Sequence, residues 1–113
     1  EERRWGEYKV VDTEEFPDGY KSLTKQLKIK SGKCISYQVH RHCDKVWTFI
    51  DGEGELVLDG IRSIVGRGDT VTIKKGIKHA VRAISDLTFI EVQSGALLVE
   101  SDVERFEWIW SDR

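Results

Sequence analysis

His40 and His42 stand two residues apart in QVHRHCDKVW, residues 38–47, and a lysine, Lys45, follows three residues later. The enclosing run CISYQVHRH is rich in β-branched and aromatic residues and reads as a strand. Side chains alternate faces along a strand, so Gln38, His40 and His42 are expected on one face, with Val39 and Arg41 on the other. Two neutral imidazoles on one rigid face are suited to grip a metal ion, although an exposed histidine pair on an edge strand fits the same fragment. The third histidine of the chain, His79, opens a later strand after the turn KKGIK. Three imidazoles with open coordination positions suit Zn, Mn, Ni, Co or Fe and leave room for a substrate. Gln38 shares the face and can add an amide oxygen.

Other residues admit two readings each. Lys74, Lys75, Lys78 and Arg82 make a basic turn beside His79, fit for a substrate phosphate or simply a solvated hairpin tip. Trp47 and Phe49 share parity with Lys45 and are expected inside, where Trp47 either stacks on a sugar or packs in the core. Glu91 and Gln93 line the cavity in one register, with Glu91 as a proton-transferring carboxylate. In the other register Ile90 and Val92 turn inward instead.

The elements that must position these residues are strands. Short runs of Val, Ile, Thr and aromatics alternate with Gly, Asp, Ser and Lys punctuation. Strands are expected at EYKVVD, YKSLTKQLKI, CISYQVHRH, KVWTFID, GELVLD, IRSIV, DTVTIK, HAVRAI and LTFIEVQ. Asp59 and Gly60 carry the signal of a two-residue hairpin with positive φ at both positions. Such regular turns predict a sandwich or small barrel in one domain over residues 1–113. Ser101 and Glu104 have capping-box spacing and predict a short C-terminal helical turn. The apolar alternation FEWIW beyond it is expected to cover the barrel or a partner subunit.

Composition excludes several classes. The 113 residues suit one core, and the 39% apolar and 34% charged content is that of a soluble globular domain. A formal charge of −2 gives no footprint for nucleic acid or an anionic membrane. No apolar run approaches the roughly 20 residues of a membrane helix, and EERRWGEY has no signal-peptide character. Cys34 and Cys43 end one extended run, roughly 30 Å apart at about 3.3 Å per residue, so free thiols and a cytoplasmic setting are expected. Methionine is absent; the initiator has been removed or the chain is part of a longer one.

Taken together, the histidine segments resemble the two signature motifs of the cupin superfamily, whose members are all-β jelly-roll barrels (double-stranded β-helices). The first motif is matched by His40, His42 and Gly52, with Lys45 at the place of its carboxylate. The second is matched by Gly68, Gly76 and His79, with Lys74 at the place of its proline. RRWGEY, ISYQVHRHCDKVWTFIDGEGELVLDG, GIKH and FIEVQSG followed by DVERFE resemble, in order, the cupin domain of type II mannose-6-phosphate isomerases. That domain is, in many bacteria, the C-terminal half of a bifunctional isomerase and mannose-1-phosphate guanylyltransferase. Arg4 stands where RPWG is usual. No nucleotide-binding domain or Gly-rich phosphate loop accompanies the match.

The resemblance implies a metal held by His40, His42 and His79 and aldose–ketose isomerisation of a sugar phosphate, in a homodimer. Glu91 is the candidate base and Lys45 an unorthodox one; Gln38, Trp47, Lys78, Arg82 and Gln93 are candidate substrate contacts. Lys45 strains this picture, because an ammonium about 4 Å from a divalent ion is repelled by several kcal/mol at intermediate dielectric. Lys45 then sheds its proton, turns to solvent, or stands where the metal has been lost. Asp44 replaces it as a ligand only if a bulge reverses the strand's faces. The rival reading is a cupin that binds a sugar phosphate or nucleotide sugar without chemistry. A three-histidine iron dioxygenase is a third possibility.

Overall fold

A computed structural model describes residues 1–99 and 101–110. Eleven strands form, in chain order β1 (Glu2–Arg3), β2 (Gly6–Glu15), β3 (Lys21–Ile29), β4 (Cys34–Val39), β5 (Asp44–Asp51), β6 (Glu53–Leu58), β7 (Ile61–Gly66), β8 (Thr70–Ile73), β9 (His79–Ala83), β10 (Leu87–Gly95) and β11 (Glu104–Phe106). They make two antiparallel sheets, ordered β1-β2-β3-β10-β5-β8 and β11-β4-β9-β6-β7. This is the expected all-β jelly roll, in the form of two facing sheets and not a fully closed barrel. No helix among the described residues is long and apolar enough to cross a membrane.

Strand alternation fills the space between the sheets. Along β5, Lys45, Trp47 and Phe49 are buried while Asp44, Val46 and Thr48 are not. Along β10, Leu87, Phe89 and Glu91 are buried, and the strand pairs with β5 so that Phe89 lies opposite Phe49, Glu91 opposite Trp47 and Gln93 opposite Lys45. Trp47, Phe49 and Phe89 pack ring against ring, with centroids 5.0–6.2 Å apart, and Ile29, Leu56, Ile73 and Val81 complete the inner core. The upper part of the space is apolar. Its lower part carries Lys45, Glu91 and Gln93.

Two turns show why the sequence punctuates where it does. Asp59 and Gly60 both adopt positive φ, 49° and 82°, and join β6 to β7 as the hairpin chemistry requires. Gly52 has a φ of +90° and lies so close to the Asp86 carbonyl that a Cβ would overlap its oxygen.

The C-terminal segment departs from expectation. Glu104–Phe106 is a strand that pairs with β4, and no helix forms at Ser101. A single turn of helix has little stability of its own, whereas Phe106, Trp108 and Trp110 at every second position pack on Tyr37, Val57 and Ala80 outside the second sheet. The FEWIW segment therefore covers the sheet of its own chain. Both cysteines are free, Cys43 buried and Cys34 partly so.

Candidate functional site

β4 contains an irregularity between Ile35 and Gln38 that changes which residues face inward. Ile35 belongs to the inner core, but Tyr37 lies under the C-terminal aromatics on the outside. Gln38 and His40 consequently line the cleft between the sheets. β9 keeps strict alternation: Val81 and Ala83 join the inner core, with Ala80 in the outer cluster.

His79 is 1% exposed, and its ring lies 5.3 Å from that of His40 at an interplanar angle of 27°. His79 Nδ1 donates to the Ile77 carbonyl at 2.9 Å, because a carbonyl only accepts. That leaves Nε2 as an unpartnered buried acceptor, and His40 Nδ1 is likewise unpartnered. Both rings are held neutral. Burial pushes His40 down to about 3, with help from the Lys45 charge and from the neighbouring His79, with which it would have to share a second positive charge. Burial, then the Lys45 charge, bring His79 to about 4.

Lys45 does not turn to solvent. It is 7% exposed and its Nζ lies 3.3 Å from Glu91 Oε1. The same Oε1 accepts the Trp47 indole N–H at 2.8 Å, and Oε2 accepts the Gln93 amide at 2.7 Å. Burial works to raise the Glu91 carboxyl, yet Lys45, Gln93 and Trp47 together outweigh it and hold the group at about 2. Glu91 is thus an ionised, fully engaged carboxylate.

Three sequence expectations are corrected here. His42 does not join His40, because β4 ends at Val39 and the two-residue period ends with it. Its side chain is 59% exposed and its Nδ1 lies 3.0 Å from Asp102. Asp102 also accepts the backbone N–H groups of Arg41 and His42, at 3.1 and 2.9 Å, which fixes the turn outward. Lys78 and Arg82 do not reach the cleft. Lys78 Nζ sits 4.1 Å over the Phe106 ring, and Arg82 pairs with Glu55 at 3.1 Å and lies over Trp110. With His79, Val81 and Ala83 inward, residue 82 must point out. Trp47, 1% exposed, is a core residue that braces Glu91, with no face left for stacking a sugar. Asp44 faces away and accepts the Lys75 backbone N–H at 2.9 Å.

The cleft itself has a volume of about 1130 Å³. Arg3, Arg4, Lys25, Lys33, Lys45 and Arg105 line it, and Glu91 is the one carboxylate among the lining residues. Arg3 is also bound to Glu1 at 2.7 Å. Sequence reasoning missed this rim. Lys25 was findable, since it shares parity with Leu27 and Ile29 on β3 and pairs directly across from Glu91. Arg4, Lys33 and Arg105 come from separate segments and carry no local signal.

The donor set does not fit a divalent metal ion. A zinc site of the catalytic kind takes three protein ligands, and two imidazoles are what converge here. Among the described residues no group of three or more His, Cys, Asp and Glu is placed to hold a metal. Glu91 already serves three partners, and a divalent ion about 5 Å from the Lys45 ammonium would be repelled by about 7 kcal/mol at an effective dielectric of 20.

Comparison with known proteins agrees with this architecture. The family model "Mannose-6-phosphate isomerase C-terminal" matches residues 2–108. A mannose-1-phosphate guanylyltransferase of Escherichia coli is 31% identical over 106 residues, covering 92% of this chain and 21% of that protein. The alginate biosynthesis protein AlgA of Pseudomonas fluorescens is 34% identical, over 96% of this chain and 22% of its own length. The chain therefore spans about a fifth of the curated relatives it matches. A crystal structure of an uncharacterized Klebsiella pneumoniae protein with a double-stranded β-helix domain superposes with a TM-score of 0.71 at 23% identity, over 85% of this chain and 75% of that one.

Proposed function

The chain belongs to the mannose-6-phosphate isomerase C-terminal family, and from that premise we propose that its cleft binds a sugar phosphate of the mannose series. The charge of the wall carries this reading: six cationic side chains line the cleft against one lining carboxylate, and even with Arg3 paired to Glu1 and Lys45 to Glu91 the wall stays cationic. A phosphate dianion takes charge-assisted hydrogen bonds from guanidinium and ammonium groups. Below the rim, Gln38, Gln93 and the His40 ring line the cleft and offer polar groups to a polyol chain. The relatives named for mannose-1-phosphate guanylyl transfer and alginate biosynthesis support a place in the supply of sugar-phosphate precursors for polysaccharide. Calorimetric titration with mannose 6-phosphate and with free mannose tests it. Saturable binding of the phosphate ester alone supports the reading, and indifference to both sugars overturns it.

A second reading, isomerisation of mannose 6-phosphate to fructose 6-phosphate, is favoured by Lys45 and Glu91 lining the same cleft. The reaction moves a proton between adjacent carbons through an enediol. Lys45 would stabilise the oxyanion that develops, and Glu91 would be the carboxylate in reach. A general base works best with a pKa near the operating pH. Glu91 at about 2 and His40 at about 3 lie far below it, so binding ranks above turnover. Fructose 6-phosphate appearing with wild type and disappearing with Glu91→Gln would put catalysis first.

A further inference from the structure

Lys45 lies on the inner wall of the cleft, beside the two histidines that face inward, and the carboxylate next to it is already committed. His42, the third imidazole, is committed to Asp102 outside the cleft. Glu91 has its oxygens taken by Trp47, Gln93 and Lys45. His40 and His79 remain as neutral rings, each with a buried nitrogen lacking a partner. A buried ammonium is kept by its carboxylate, and an ammonium has three N–H donors where this carboxylate oxygen meets it from one side.

We infer that Lys45 is the anion-binding centre of a metal-independent site: its ammonium supplies the positive charge at the floor of the cleft, and a phosphorylated or otherwise anionic polyol binds there with no divalent ion. The odd parity of β5 puts Lys45 on the inner wall, and the Glu91 carboxylate fixes its position. Trp47 and Gln93 fix Glu91 in turn, so the ammonium is preorganised and not searching for a partner. The His40 ring lines the same cleft and, held neutral, adds no competing charge beside Lys45, while His79 is buried behind it. Gln38 and the cationic rim complete a wall that repels cations and attracts anions.

The identity of the anion rests on the sugar-phosphate reading above; the metal independence does not. Two measurements on the intact chain separate them. Protein purified without chelator or added metal is analysed for Zn, Mn, Ni, Co and Fe, and mannose 6-phosphate is titrated in EDTA and again with Zn²⁺ or Mn²⁺. The expected result is metal far below one ion per chain and the same affinity in both buffers. The paired variant Lys45→Gln/Glu91→Gln removes both charges together, leaves an acceptor for the Trp47 N–H, and is checked for folding by circular dichroism. Its affinity for mannose 6-phosphate should fall by about thirtyfold or more, the loss expected when a buried charged contact is removed. Lys45→Glu should take up metal that wild type does not. One metal ion per wild-type chain, binding abolished by EDTA and restored by metal, or undiminished affinity in the folded paired variant would each overturn the inference. If mannose 6-phosphate fails to bind under every condition, the sugar-phosphate reading falls, and the metal analysis still decides the rest.

Discussion

Replacing Lys45 by methionine isolates the buried ion pair. Two unit charges 3.3 Å apart attract by about 5 kcal/mol at an effective dielectric of 20, before the cost of desolvating both is counted. Methionine fills the same volume but strands the Glu91 carboxylate, which is 4% exposed. The Trp47 and Gln93 hydrogen bonds persist, so the expected loss at pH 7.5 is about 3–5 kcal/mol, the usual result of removing one member of a buried pair. The sign of the pH dependence is a stronger check than the size. In wild type the folded Glu91 value, about 2, lies below its ordinary 4.5. Its stabilisation is therefore present above pH 4.5 and is lost as pH falls toward 2. Without Lys45, burial prevails and raises the carboxyl above 4.5, so its contribution is present at low pH and lost as pH rises. Lys45 also helps to depress His40 and His79, and its removal relieves both. Urea unfolding followed by Trp fluorescence at pH 7.5, 6 and 4.5 should show the deficit of Lys45→Met narrowing steadily with acid. Adding Glu91→Gln should recover most of the stability at neutral pH. A deficit under about 1 kcal/mol that is the same at every pH would refute the desolvated pair.

Wild type itself should weaken on mild acidification. The folded values of His40 and His79, about 3 and about 4, lie below the ordinary 6.5, so the unfolded chain takes up protons first as pH falls through 6.5. Each histidine then costs about 2 kcal/mol by pH 5, and a flat urea midpoint between pH 7.5 and 5 would contradict two buried neutral rings. Asp102→Ala should cost about 1–2 kcal/mol by stripping acceptors from two backbone N–H groups, with faster amide exchange at Arg41 and His42. His42→Ala, removing only the exposed ring, should stay within about 0.5 kcal/mol; equal losses would mean that the ring anchors the turn. Gly52→Ala should cost more than about 3 kcal/mol, since it combines strained φ with overlap on the Asp86 carbonyl. Gly76→Ala has positive φ of 80° but open space, so about 1 kcal/mol is expected, and thermal melts of the two variants check the difference.

Most of the fold was legible because its strands obey a two-residue period between glycine turns. The odd positions of β5 put Lys45, Trp47 and Phe49 inside by parity, and the structure has them there; β10 left two registers open, and the structure takes the one with Glu91 and Gln93 lining the cleft. Parity misled where it was carried past the end of a strand: His42 lies three residues beyond Val39, in a turn whose direction Asp102 decides from 60 residues away. Parity was available and unused at Arg82, which cannot share a face with His79 three residues earlier. The capping-box pattern at Ser101 was a local signal overridden by tertiary packing, since Phe106, Trp108 and Trp110 gain more by lying on the sheet than a one-turn helix would return. The cationic rim was the least legible part, because Arg4, Lys33 and Arg105 meet only through topology.

Charge bookkeeping explains why counting histidines is a poor guide to this cleft. Neutral His40 and His79, the Lys45 ammonium and the Glu91 carboxylate sum to zero at the floor. A divalent cation added there would bring two positive charges with no anion to answer them, at a place where water cannot screen the excess. A sugar phosphate brings negative charge instead, and the rim cations answer it within the same cleft. The family's histidine motif is still written in the strand, but one lysine reverses the sign of the ligand that the surrounding groups can accept. A carboxylate in place of Lys45 would lower the charge of the floor by two and make a cation welcome. The Lys45 side chain on β5, together with the outward turn of His42, thus sets the charge of the floor without altering the strands that build the cleft.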